Sequence, residues 1–161
     1  MKTLRSLLVF LSLLGALHGS AFAAEPVGVD GFDAEVWRAW RDRDGGSRVV
    51  LFSTTFCAHC PALVEALADR LAREGLRAEL HVVIMDREPD PRHRALYRRA
   101  GGLHVFDDNP ARIRHAIEPS WRGGTPFVAL LAGDASAPSL SLGAPAESAW
   151  VAWAARQVRR P

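Results

Sequence analysis

The chain has 161 residues, 48% of them hydrophobic, with 20 Lys or Arg against 18 Asp or Glu and a formal net charge of +2. Two of the basic residues, Lys2 and Arg5, precede Ala24 while every acidic residue follows it, so the remainder is neutral and offers no general attraction to nucleic acid or to an anionic membrane. Only two cysteines are present, which excludes a scaffold built on a framework of disulfides.

Lys2 and Arg5 are followed by an apolar run, Leu7 to Ala16, and then by small residues ending Ala21-Phe22-Ala23. This order predicts a secretory signal peptide over 1–23, cut after Ala23. The apolar run is much shorter than the roughly 20 residues that span a bilayer, so no stable membrane insertion is expected. The product is expected to be exported, periplasmic in a Gram-negative bacterium, in a compartment that permits disulfides. Residues 24–161 suffice for one domain and are too few for two.

Within that domain Glu25 to Asp30 reads as a short strand, and Phe32 to Arg43 as a helix with Val36, Trp37 and Trp40 on one face, stopped by Gly45-Gly46. Arg48 to Ser53 is apolar and β-branched, Pro61 to Arg73 carries Leu63, Leu67 and Leu71 at helical spacing, and Ala78 to Met85 is a further strand. Such a β-α-β succession predicts parallel strands. After Pro89 and Pro91 come a helix over Arg92 to Ala100, a strand Leu103 to Phe106, and a helix to Glu118 with Pro110 in its first turn and Asp107, Asp108 or Asn109 as cap. Pro126 to Ala132 and Ser139 to Leu142 read as an antiparallel hairpin, and Pro145 to Arg159 as a terminal helix with Ala146, Ala149, Trp150, Trp153 and Ala154 facing the sheet.

The two cysteines sit as Cys57-Ala58-His59-Cys60, between the strand and the helix beginning near Pro61. Cys57 is thereby expected at a helix N-terminus, where unpaired N–H groups and the macrodipole favour a thiolate. Three readings share this spacing. One is a redox-active dithiol, a second is a Cu(I) or Zn(II) site completed by His59 or another histidine, and a third is an inert bridge. No second Cys-X-X-Cys and no histidine pair with ligand spacing completes a metal site, so metal ligands are assigned to none of these residues.

With Val50 to Pro61 reading Val-Leu-Phe-Ser-Thr-Thr-Phe-Cys-Ala-His-Cys-Pro, and Gly123-Gly124-Thr125-Pro126-Phe127 followed by a hairpin, a glycine and an amphipathic helix, nearly the whole of 24–161 resembles the thioredoxin-fold superfamily. The resemblance implies an α/β domain with a central mixed sheet flanked by helices. The extra helix and strand before the Thr125-Pro126 loop look like those of exported TlpA-like thiol-disulfide oxidoreductases. Carried over residue by residue, Cys57 is the attacking thiol and Cys60 the resolving thiol, Ala58 and His59 tune the potential, Pro126 is a cis-proline, and Thr125 lends its backbone to substrate. No cofactor is implied beyond the Cys57–Cys60 disulfide. The implied partners are protein thiols and disulfides together with a membrane electron donor or acceptor, and the expected state is a monomer.

This sequence departs from the family pattern at Phe56, where a tryptophan is usual, and at Leu51, where a buried acid is frequent, with Glu65 as the nearest substitute. His59 before Cys60 resembles the oxidising DsbA-type motif, because a histidine there can donate to the Cys57 thiolate and favour the reduced protein. The wider architecture resembles reductants, and that direction is the expectation. The alternatives are a DsbA-like disulfide donor and a metal-handling or redox-sensing binding protein. His81 is expected to be a hydrogen-bonded sheet residue, and His93, His104 and His115 to lie at the surface. Arg92, His93, Arg94, Arg98 and Arg99 are expected on a solvated helix face, and Trp121 either lines a substrate groove or packs.

Overall fold

Two strands, β2 (Arg48–Ser53) and β5 (Phe127–Leu131), are apolar at almost every position and buried along nearly their whole length, as strands are when a sheet is covered on both faces. The computed structural model, which describes residues 28–42 and 46–158, places them side by side in the interior of a six-stranded mixed sheet. The other elements are β1 (Val29–Phe32), α1 (Ala34–Asp42), α2 (Cys60–Arg73), β3 (Glu79–Ile84), α3 (Pro91–Leu96), β4 (Gly102–Phe106), α4 (Pro110–Ile117), β6 (Ser139–Leu142) and α5 (Glu147–Val158). The strand order is β1-β4-β3-β2-β5-β6, parallel from β1 through β2, with β5 antiparallel to β2 and β6 antiparallel to β5.

Alternation along the strands sends odd and even residues to two separate cores. Val49, Leu51, Val82, Ile84, Val128 and Leu130 meet α2 and α5 on one side. Val50, Phe52, Val83, Phe127 and Ala129 meet α1 and α4 on the other. Trp37, Trp150 and Trp153 are each at most 3% exposed, and truncating any of them to alanine would cost about 3–5 kcal/mol. The indole of Trp153 also donates to Leu131 O at 2.9 Å, fastening α5 to β5.

Caps set the starts of three helices. Asp33 accepts from Glu35 and Val36 N–H at the head of α1, Asp90 from His93 N–H at α3, and Asn109 from Ala111 and Arg112 N–H at α4. Asn109 is thus the cap among the three candidates.

Several boundaries differ from the sequence reading. The first strand runs from Val29 to Phe32, two residues past the expected end at Asp30, in register with Leu103 to Phe106 of β4, and residues 25–27 of the expected strand lie outside the described residues. The proposed signal peptide, 1–23, lies outside the described residues. The helix after the cysteines begins at Cys60, so Cys57 stands in a turn before it and not in its first turn. Cys60 N–H closes that turn on Cys57 O at 3.3 Å, and the first helical bond runs from Leu63 N–H to His59 O. The helix expected to reach Ala100 stops at Leu96, because a turn from Tyr97 to Ala100 drops both of those side chains into the core. No helix among the described residues is long and apolar enough to cross a membrane.

Candidate active site

Cys57 and Cys60 are joined in a disulfide with their Cα atoms 5.5 Å apart. The two sulfurs live in different surroundings. Cys60 is fully buried on the inner face of α2, whereas Cys57 is half-buried, with Phe56, Ala58 and His59 exposed around it. A large reagent therefore reaches this disulfide through Cys57. His59 is the N-cap residue of α2 but makes no side-chain capping bond, so it does not close the head of the helix.

The loop carrying Cys57 is held from the β3 side. Because β2 and β3 are parallel and in register from Arg48–Glu79 to Ser53–Ile84, the residues that follow β3 emerge beside those that follow β2. Asp86 accepts the Thr55 N–H at 2.9 Å and also the Thr55 hydroxyl. Arg87 donates to Thr55 Oγ1 at 3.2 Å and lays its guanidinium 5.0 Å from the centre of the Phe56 ring. His93 Nε2 lies 3.1 Å from Thr55 O.

On the opposite side β5 runs antiparallel to β2, with Phe127 opposite Phe52. Thr125 and Pro126 precede Phe127 and so come to the same end of the sheet as the cysteine loop. Their peptide bond is cis. Gly123, two residues earlier, has a φ of +86°, where a side chain would be strained. Trp121 belongs to this support and not to a groove wall. It is 8% exposed, stacks on Phe127 with ring centres 4.2 Å apart, and donates its indole N–H to Gly124 O at 3.0 Å.

This sheet order has counterparts among solved structures. The backbone is similar to that of a candidate thioredoxin from Neisseria meningitidis, with a TM-score of 0.51 and 12% identity over 76% of this chain and 79% of that one. It is similar also to a thioredoxin-family thiol:disulfide interchange protein from Chlorobium tepidum TLS, with a TM-score of 0.50 and 14% identity over 84% of this chain and 98% of that one. The chain has the thioredoxin fold. No family model and no curated protein matches the sequence.

Within this thioredoxin fold α3 and β4 form the extra segment before the cis-proline loop, and β4 is wedged between β1 and β3. The segment brings residues to the site that the sequence reading placed elsewhere. Tyr97, just past α3, is 2% exposed and its hydroxyl lies 2.9 Å from the Ser53 hydroxyl at the end of β2. The basic cluster is not one solvated face: Arg99 pairs with Glu65 and Asp69 of α2, Arg94 with Glu88, and His93 with the Thr55 carbonyl. Glu65 is consequently engaged with Arg99, while Leu51 is fully buried in the core that contains Cys60.

His104 is buried, contrary to its expected surface position. Its Nε2 lies 3.1 Å from Nδ1 of His81, whose Nε2 lies 3.2 Å from Glu79. Burial, with a smaller contribution from His81, lowers the His104 pKa to about 4, and burial also lowers that of His81. Among the described residues no group of three or more His, Cys, Asp or Glu is placed to hold a metal ion.

Proximity of Asp86, Arg87 and His93 to the cysteine loop has one signal in the sequence. In a β-α-β unit the C-terminal ends of parallel strands lie together, so residues just past Met85 belong beside those just past Ser53.

Proposed function

We propose that this chain is an exported thiol-disulfide oxidoreductase that reduces disulfides of protein substrates with the Cys57–Cys60 dithiol. The asymmetry of the pair supports this reading most directly: a half-exposed Cys57 open to attack and a fully buried Cys60 one turn behind it. Thr125 and Pro126, brought to the same end of the sheet, are the groups along which an extended substrate would lie. The leader-like pattern of residues 1–23 supports export, and a thiol partner in or at the membrane would recycle the protein.

In the reduced protein the Cys57 thiolate attacks one sulfur of the substrate disulfide, whose S–S bond breaks and whose departing thiolate takes a proton from water. The Cys60 thiolate then attacks Cys57 Sγ, forming the bridge and expelling the second substrate thiolate. Two electrons pass to the substrate, and two must return from a dithiol donor. Leu51 supplies no carboxylate to receive the Cys60 proton, so water or another group must carry it away.

Dithiothreitol-driven reduction of insulin by residues 24–161 tests the activity. Cys57→Ser is expected to abolish turnover, and Cys60→Ser to accumulate a mixed disulfide. Full turnover by Cys57→Ser would overturn the proposal. Equilibration with glutathione gives the direction: a potential near the thioredoxin value of about −270 mV supports a reductant, and one near −120 mV supports an oxidant.

A further inference from the structure

We infer that the disulfide substrates of this site carry acidic residues beside the reacting cysteine. The inference rests on the exchange reading above and names the substrate class. Three guanidinium groups border the site from both sides. Arg87 lies over Phe56, next to Cys57. Arg114 packs against Gly123: a Cβ there would be 3.3 Å from the Arg114 Cδ and 3.9 Å from its guanidinium carbon. Arg122 is exposed in the same loop, three positions before Thr125.

Elsewhere in the described residues many arginines have carboxylate partners: Arg41, Arg48, Arg70, Arg94, Arg99 and Arg112 all do. Arg87, Arg114 and Arg122 have none within 4.0 Å among the described residues. The carboxylates at this end of the molecule have hydrogen-bond partners of their own, which fix their orientation without removing their charge. Asp86 is bound to Thr55, Asp90 to His93, Glu118 to Ser120 and Asp108 to Arg112. Asp107 lies against Gly31 at the β1 edge, beyond β3 and β4. Arg38, Arg73, Arg77, Arg92, Arg98 and Arg156 also lack a carboxylate within 4.0 Å among the described residues, so what distinguishes Arg87, Arg114 and Arg122 is their place beside Cys57 and Thr125, where a peptide crossing the site passes between them. Guanidinium groups without a carboxylate partner are positioned to pair with carboxylates on that peptide, raising its rate of encounter and fixing its register.

Three peptide disulfides, with Glu, Gln or Lys on both sides of the cysteine, separate the possibilities. Their second-order rates with the reduced protein are divided by their rates with dithiothreitol, which attacks as a thiolate just as Cys57 does, to remove intrinsic reactivity. The expected order at about 20 mM salt is Glu above Gln above Lys, with a Glu-to-Lys ratio of at least about fivefold that shrinks at high salt. Arg87→Gln with Arg122→Gln is expected to bring that ratio towards one, with the rate of the Gln peptide in the same variant as the reference for any change in the loop that Arg87 supports. Equal rates, the reverse order, or a ratio that survives the double substitution would overturn this inference and leave the exchange reading standing. Absence of exchange with all three peptides would overturn both.

Discussion

Asp86 and Thr55 are 31 positions apart in sequence, yet the Asp86 carboxylate takes both the backbone N–H and the hydroxyl of Thr55. That contact ties the turn after β3 to the loop that presents Cys57. Asp86→Ala should free the loop and lower the exchange rate several-fold, with a stability loss of only about 1 kcal/mol because the pair is exposed. Asp86→Asn keeps an acceptor and should retain most of the rate. Stopped-flow exchange with a model disulfide checks both, and equal losses in the two variants would point to charge and not to the hydrogen bonds.

Acid should destabilise this protein through His104 before most carboxylates titrate. Its folded pKa of about 4 lies below the ordinary histidine value of 6.5, so the unfolded chain binds the proton first as pH falls. The stabilisation is complete above about pH 6.5 and is lost progressively as the pH falls towards and through 4, amounting to about 3 kcal/mol overall. His81, lowered in the same direction, adds to the slope. Urea unfolding at about pH 7.5 and pH 5 should differ by about 2 kcal/mol in the native chain and by much less in His104→Asn. A variant as acid-sensitive as the parent would assign the effect elsewhere.

Gly102 has no room for a side chain, because a Cβ there would sit 2.5 Å from His81 Nδ1 and 2.9 Å from His104 Nε2. Gly102→Ala should force the two imidazoles apart and cost about 1–3 kcal/mol. Calorimetry reads the loss, and nuclear magnetic resonance of the ring protons reads the separation. An unchanged melting temperature would mean that both rings can rotate away freely.

His59 is exposed beside the bridge and caps nothing, so its imidazole is free to approach the Cys57 sulfur once the bridge opens. His59→Ala is expected to lower the Cys57–Cys60 potential by removing a group that favours the thiolate. Redox equilibration of the two proteins against glutathione measures it. An identical potential would mean that the ring points away from the sulfur in the reduced state.

The predicted elements were nearly all legible because each rests on local pattern: the continuous apolar, β-branched run of β2, the Leu63-Leu67-Leu71 stripe of α2, the proline in the first turn of α4. Errors fell where a tertiary contact overrode local signal. Tyr97 and Ala100 leave the helical path because the core takes them. His104 looked like a surface residue in an added segment, but β4 is an interior strand of the sheet, with β1 and β3 as its neighbours.

The sequence by itself determined the chemistry on offer: two cysteines with two residues between them, a proline far downstream preceded by threonine, and a leader-like start. Those are properties of residue type and spacing, which a chain carries whether folded or not. Only the tertiary structure decided that Cys60 is sealed while Cys57 is open, and that Asp86, Arg87 and His93 gather on one flank and Arg114 on the other. Pairings across 30 or more positions depend on strand register and on which helix covers which face. Those are set by the packing of the whole sheet and not by any short stretch of residues.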